Sequence, residues 1–325
     1  MGMPMPTYPV TETGSQLPLC PLTQRPVKRR VHGFATKALL RAWRLAGAGD
    51  LAHLFGTRQQ VVLYESATGL FFFEPMAAGD KAFYSKFYHR IGAHTRLNAR
   101  MQSRVEFRRA AAHVPVGAAV LDVGCGMGAF VAHLGHASYV GIDPFAPDDA
   151  PAQVLRETLE AHAQRRQASY DVVTAFQVIE HTRDPQRFAQ QCVELLRPGG
   201  MLILCAPLHP SPLTEIPNLL LNFPPHHVSW WNRSAFTALA QHLALEPVEI
   251  AELPFSPHQA SIGWLNRCSF ARTPTAPNER YFAHRWAWHA NLFWAYWAAR
   301  VADHYLPPPS SIRPIDVFMA ARKRA

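Results

Sequence analysis

Apolar and polar positions along this chain fall into two rhythms. From residue 118 to 206, apolar runs of strand length at 118–123, 139–142, 171–176 and 201–206 alternate with helical periodicity at 128–134, 157–167 and 185–196. A short strand is expected at 153–156, and a helix at 233–243 with a strand at 247–253 continues the series. Such alternation predicts parallel strands joined by crossover helices on both faces. Before 118 the pattern is more broken. Residues 1–24 read as an irregular arm, and 34–47 as a helix with Leu39, Leu40, Trp43 and Ala46 on one stripe. Strands at 61–64 and 70–73 form a hairpin through Ser66-Ala67-Thr68-Gly69. Asp80 caps a helix carrying Phe83, Tyr84, Phe87 and Tyr88. A helix over 95–113 presents Arg96, Arg100, Arg104, Arg108 and Arg109, which reads as a solvated basic face. Beyond 253, residues 254–312 form an insertion around an aromatic helix at 279–305, with Trp286, Trp288, Phe293, Trp294, Tyr296 and Trp297. A last strand is expected at 315–320.

Composition changes this picture little. With 325 residues, 48% of them hydrophobic, the chain can bury a sizeable core. The net charge of +9 raises the question of an anionic partner, but the arginines are scattered, so a solvated surface is expected and nucleic acid is disfavoured. Five cysteines at irregular spacing, Cys20, Cys125, Cys192, Cys205 and Cys268, predict free thiols and a cytoplasmic protein. No signal-peptide progression opens the chain, and no apolar run reaches the roughly 18 residues of a membrane span.

The chemistry concentrates at Val120-Leu121-Asp122-Val123-Gly124-Cys125-Gly126-Met127-Gly128. A buried strand breaks into glycines at alternate positions, which lets the backbone turn sharply and a ligand lie against it. The next strand ends at Asp143, where a carboxylate can accept both hydroxyls of a ribose. Phe176 and Gln177 end the strand after that, in the crevice where open α/β sheets bind ligands. The spacing Gly-x-Gly-x-Gly disfavours a nicotinamide dinucleotide, whose turn reads Gly-x-Gly-x-x-Gly.

These motifs, with Gly141-Ile142-Asp143, the run from Asp171 to Glu180-His181, and Leu196-Arg197-Pro198-Gly199-Gly200, resemble a class I S-adenosylmethionine-dependent methyltransferase. The nearest likeness is to the broad group that includes ubiquinone-biosynthesis and surface-polysaccharide enzymes. It implies an α/β, Rossmann-like fold with a seven-stranded, mostly parallel sheet, a small N-terminal module and a helical C-terminal insertion. The corresponding domains are 1–90, 91–253 and 254–325. It implies S-adenosylmethionine as cofactor, held by Asp122, Gly124, Cys125, Gly126, Gly128, Asp143, Phe176 and Gln177. Within that set Asp122 can equally brace the glycine turn, Cys125 is expected to pack rather than react, and the Gln177 backbone would meet the cofactor's ammonium. Glu157 and Thr158 are placed near the adenine.

On the acceptor side, Pro224-Pro225-His226-His227 resembles a segment of polysaccharide-linked members of the group. His226 and His227 could deprotonate a hydroxyl, or hold a metal that does so, or simply brace the loop. His181 is a second base or a helix cap. The three are the candidate catalytic residues, and no resident metal is expected. Trp230 and Trp231 stack on an acceptor or pack. The expected reaction is O-methylation of a saccharide or saccharide precursor of a surface polymer. The alternatives are a quinone- or polyketide-like phenol, and a non-catalytic methyltransferase-like subunit. The aromatic helix is read as core packing, with a lid, a homodimer surface or a peripheral membrane contact as alternatives. The group often carries a four-cysteine zinc ribbon ahead of the core. Here only Cys20 remains, and Glu65-Ser66-Ala67-Thr68-Gly69-Leu70 stands where the second cysteine pair would be, so 15–75 is read as a ribbon-like module without its metal.

Overall fold

A computed structural model of the chain describes residues 17–91, 104–274, 280–310 and 312–325. Most of the expected N-terminal arm and the first part of the helix at 95–113 lie outside the described residues.

The central sheet has seven strands. β4 (Ala119–Val123), β5 (Ser138–Ile142), β6 (Val154–Leu155), β7 (Tyr170–Phe176) and β8 (Leu196–Pro207) pair in parallel, in the order β6-β5-β4-β7-β8. β10 (Glu246–Leu253) and β11 (Asp316–Arg322) extend it, with β11 antiparallel to both β8 and β10. Strand residues alternate between two cores, as the pleat requires. Leu121, Val173, Leu202 and Leu204 face Phe188, Ala189 and Cys192 of α5 (Pro185–Leu195) and Phe236 and Leu239 of α6 (Arg233–His242). Val120, Val172, Ile203 and Phe318 face Phe107 and Ala110 of α3 (Val105–Ala111). α5 starts where Asp184 accepts the Arg187 N–H at 2.9 Å, with Pro185 in the first turn.

A second sheet precedes the core. β1 (Arg29–Ala35), β2 (Gln60–Glu65) and β3 (Phe71–Glu74) are antiparallel, and α1 (Thr36–Leu45) packs on them through Leu39 and Trp43. The fourth strand is β9 (Ser229–Trp230), which comes from the loop after β8 and pairs Trp230 with Phe71. The loop is held elsewhere too. Trp43 Nε1 donates to the Pro224 carbonyl at 2.8 Å, the Gly79 N–H to Pro225 at 2.8 Å, and Asn232 Nδ2 to Gly69 at 2.8 Å. Within the stretch expected to be ribbon-like, Cys20 Sγ lies 3.9 Å from Thr68 Oγ1, which is 2.5 Å from Ser66 Oγ. A thiol and two hydroxyls thus hydrogen-bond where two chain turns meet.

Three expectations change in detail. Residues 34 and 35 belong to β1, a strand whose exposed, charged pattern gave no periodic signal, so the helix begins at Thr36. The helix expected at 128–134 is a 3-10 turn, Ala129–His133, since too few residues separate Gly128 from Gly135 to repay helix nucleation. The helix expected at 157–167 contracts to α4 (Leu159–Ala163). After α2 (Lys81–Ile91) and the core, the C-terminal insertion forms α7 (Ala260–Cys268) and α8 (Trp286–Tyr305). α8 buries Trp288, Asn291, Ala295 and Ala299, while Trp286, Phe293, Trp294 and Trp297 on its other side stay exposed. Packing therefore accounts for only one face of the aromatic helix. No helix among the described residues is long and apolar enough to cross a membrane.

Candidate functional site

A cavity of about 440 Å³ opens at the carboxyl ends of β4, β5 and β7. The glycine turn forms one wall. Gly124 and Gly126 take φ of +69° and +57°, the left-handed region that favours glycine. Gly124 N donates to Ile142 O at 2.8 Å, tying the turn to the neighbouring strand end. A Cβ on Gly126 would meet nothing within 4 Å, so the backbone there is bare toward open space. Gly128 closes the turn by donating to Cys125 O at 2.9 Å and does not line the cavity.

Two carboxylates serve the turn differently. Asp122 is 2% exposed, and its oxygens accept from Thr174 Oγ1 at 2.8 Å and Tyr139 OH at 3.0 Å. Burial pushes its pKa up to about 7, with the two hydroxyls opposing. It cross-links three strands behind the turn. Asp143 lines the cavity; Oδ2 accepts Gly126 N at 2.9 Å and Oδ1 accepts Phe145 N at 2.8 Å. Burial raises its pKa and those two N–H groups oppose the rise. Each oxygen keeps a lone pair for a ligand hydroxyl. The Cys125 thiol is pushed up by burial and by the charges of Asp122 and Asp143, which suits a packed thiol and not a nucleophile.

At the end of β7, Phe176 packs between Phe107 and Phe130 at ring distances of 4.9 and 5.0 Å. Gln177 has φ of +59°, a strained conformation for a side-chain-bearing residue, and lines the cavity. Its side-chain Nε2 donates to Asp316 Oδ1 at 3.1 Å. Glu157 and Thr158, expected near the adenine, line the cavity; Thr158 Oγ1 also caps α4 through Ala161 N at 3.2 Å.

Several lining residues gave no sequence signal. Phe145, Pro144 and Pro147 sit just past the Gly141-Ile142-Asp143 motif, in a loop without periodicity. Arg104 was expected on a solvated face but is buried, with Nε donating to Glu106 Oε1 at 2.5 Å. The reason is local: the ion pair spans two residues at a helix start, a spacing that no helical stripe displays.

The three candidate histidines converge. Ring nitrogens of His181, His226 and His227 lie within 4.8 Å of one another. His181 lines the cavity with Tyr84; His226 and His227 stand behind it, buried. Burial lowers His181 to about 4 and the other two well below the usual imidazole range, so all three are neutral at pH 7. Trp230 and Trp231 take the packing role: their indole N–H groups donate to Asn222 O at 2.7 Å and Ser229 Oγ at 3.0 Å, inside the core.

Residues 92–250 match the family described as "Methyltransferase domain". A ubiquinone biosynthesis O-methyltransferase of Pectobacterium carotovorum is 40% identical over 100 residues, covering 26% of this chain and 41% of that protein. The enzyme of the same name from Escherichia coli is 35% identical over 97 residues, covering 26% of this chain and 40% of that protein. The chain thus matches about two fifths of the length of these relatives. Among solved structures, a SAM-dependent methyltransferase from Archaeoglobus fulgidus aligns with TM-score 0.45 and 16% identity, over 73% of this chain and 100% of that one.

Proposed function

We propose that this chain, a class I S-adenosylmethionine-dependent methyltransferase by its core sheet and the domain matched at 92–250, methylates an acceptor oxygen at the mouth of the glycine-turn cavity. The observation that carries the reading is Asp143. Its half-buried carboxylate follows directly on β5, takes the Gly126 N–H, and lines a cavity floored by bare backbone. That arrangement fits a ribose-bearing cofactor. When bound, S-adenosylmethionine supplies a methyl group already activated on its sulfonium, so no protein nucleophile is needed.

The chain's own tasks are binding, orientation and handling one proton. Asp143 accepts the ribose hydroxyls. Gly124 to Met127 offer backbone along the cofactor's length, with Asp122 bracing them from behind. Phe176 and Phe145 keep water from the wall. The neutral imidazole of His181 lines the cavity, where an uncharged ring can take up a proton, and His226 and His227 stand buried behind it.

Oxygen as the methylated atom is supported by the relatives named above. A saccharide, expected from the Pro-Pro-His-His loop, has no such support from them. A phenolic hydroxyl is therefore the acceptor class to try first, with saccharides second.

Calorimetric titration of the full chain with S-adenosylmethionine and S-adenosylhomocysteine tests the reading. Saturable binding is expected, weakened at least tenfold in Asp143→Ala. A folded chain that binds neither compound refutes it. Labelled methyl donor with catechols or sugars then sorts the acceptors.

A further inference from the structure

At the edge of the cavity, three imidazoles and a carboxylate meet. Two of the rings are already aimed. His181 Nδ1 donates to the His226 carbonyl at 2.5 Å, and His226 Nδ1 donates to the Leu221 carbonyl at 2.9 Å. Each ring therefore presents the lone pair of Nε2. Metal-bound imidazoles are held in this manner, one nitrogen on the ion and the other fixed by a backbone carbonyl. Among the described residues neither ring nitrogen of His227 makes a hydrogen bond, and its ring lies 4.5 Å from His226 and 4.9 Å from His181.

Glu180 is the independent observation. It is 1% exposed, and among the described residues neither carboxylate oxygen has a hydrogen-bond partner. Oε1 lies 3.7 Å from His181 Nε2. A buried carboxylate without donors costs several kcal/mol unless a proton or a cation compensates it. A proton on Glu180 would need only the His181 lone pair, whereas here a nitrogen from each of three rings converges within 4.8 Å, an arrangement that suits a cation.

We infer that His181, His226 and His227 bind one divalent transition-metal ion, with the Glu180 carboxylate beside it as charge partner. This departs from the expectation of no resident metal. Nitrogen-rich ligands select zinc(II), cobalt(II) or iron(II) over magnesium or calcium, which want oxygen. Metal–nitrogen bonds of about 2.0–2.1 Å need ring nitrogens roughly 3.3 Å apart, so side-chain adjustments of about an ångström complete the site. Three protein nitrogens leave a position open. Only the role of the ion rests on the methyl-transfer reading: His181 lines the cofactor cavity, so the open position faces an acceptor oxygen. Binding of the ion does not rest on it.

The test uses the full chain, stripped with chelator and reloaded with cobalt(II) or zinc(II) in the absence of cofactor. One ion per chain is expected by elemental analysis, with the visible d–d bands of low-coordinate cobalt(II). The double variant His226→Gln, His227→Gln should bind at least 100-fold more weakly, and Glu180→Gln about tenfold. Should the double variant fail to fold, X-ray absorption on the zinc-loaded native chain decides: three imidazole scatterers are expected. A native chain that takes up no ion, or an ion with an oxygen-only shell, overturns the inference. So does equal affinity in the native chain and a folded double variant. Failure here with intact cofactor binding leaves methyl transfer standing; the reverse leaves the metal site standing.

Discussion

Gly124 and Gly126 are two residues apart, both left-handed, and replacement by alanine should harm the protein in opposite ways. The backbone penalty is shared: a left-handed alanine costs about 1–2 kcal/mol. Their surroundings differ. A Cβ on Gly124 would come within 2.5 Å of Val178 Cγ2, whereas on Gly126 it would meet no atom within 4 Å and project into the open space of the cavity. Overpacking of this kind adds about 1–3 kcal/mol. Gly124→Ala should therefore cost about 2–5 kcal/mol of stability and Gly126→Ala only about 1–2. Removing the obstructing methyls should recover the difference. In a Val178→Ala background the cost of Gly124→Ala should fall by about 1–3 kcal/mol, while that of Gly126→Ala stays within about 0.5. Urea unfolding of the six chains measures this, since a shift of midpoint at constant slope is a change in stability. Cofactor calorimetry supplies the second axis, with Gly126→Ala the more damaging to affinity despite its smaller stability cost. Equal stability losses at the two positions, or no coupling of Gly124 to Val178, would refute the account of the turn.

Two further outcomes follow from buried polar groups. Asp122 has a folded pKa of about 7 against roughly 3.9 in the unfolded chain, so its contribution is fully present below pH 4 and lost as pH rises toward 7. Asp122→Asn should cancel a decline of about 1.4 kcal/mol per pH unit in that window, seen as a native-minus-variant difference in unfolding free energy; a difference independent of pH contradicts the raised pKa. Trp43→Phe deletes the N–H that holds the Pro224 carbonyl and should cost about 1 kcal/mol. Hydrogen exchange should rise selectively at the amides of His226, His227 and Val228, and a uniform rise along the chain would show that the indole does not anchor the histidine loop.

The core was readable because its signals are local. Each motif lies within a few residues of a strand end, and the pleat writes the strands of the central sheet as apolar runs, so both the sheet and the cavity's glycine wall were anticipated. Asp143, Phe176 and most of the turn were legible for that reason, and all of these line the cavity. What escaped depends on distant pairing. β1 carries arginines on an exposed edge, and β9 has two residues whose partner, β3, lies far earlier in the chain. Arg104 looked like one of a basic series, and only its burial beside Glu106 distinguishes it. The histidines were noticed one by one, but nothing in their numbering announces that His181 meets His226 and His227, since a backbone bond from Val228 N to Glu180 O at 2.9 Å brings the two loops together.

The late arrival of β9 also bears on how the protein is made. Until Trp230 has been synthesised, β3 has a bare edge, and that strand is Phe71-Phe72-Phe73-Glu74. At about 5–20 residues per second, the interval between Phe73 and Trp230 lasts roughly 8–30 s on the ribosome. The same small core waits still longer for Tyr281 and Phe282. An unpaired aromatic strand held open for that time is a template for association with other nascent chains. Expression yield should therefore respond more to chaperone supply and elongation rate than the stability of the finished molecule would suggest.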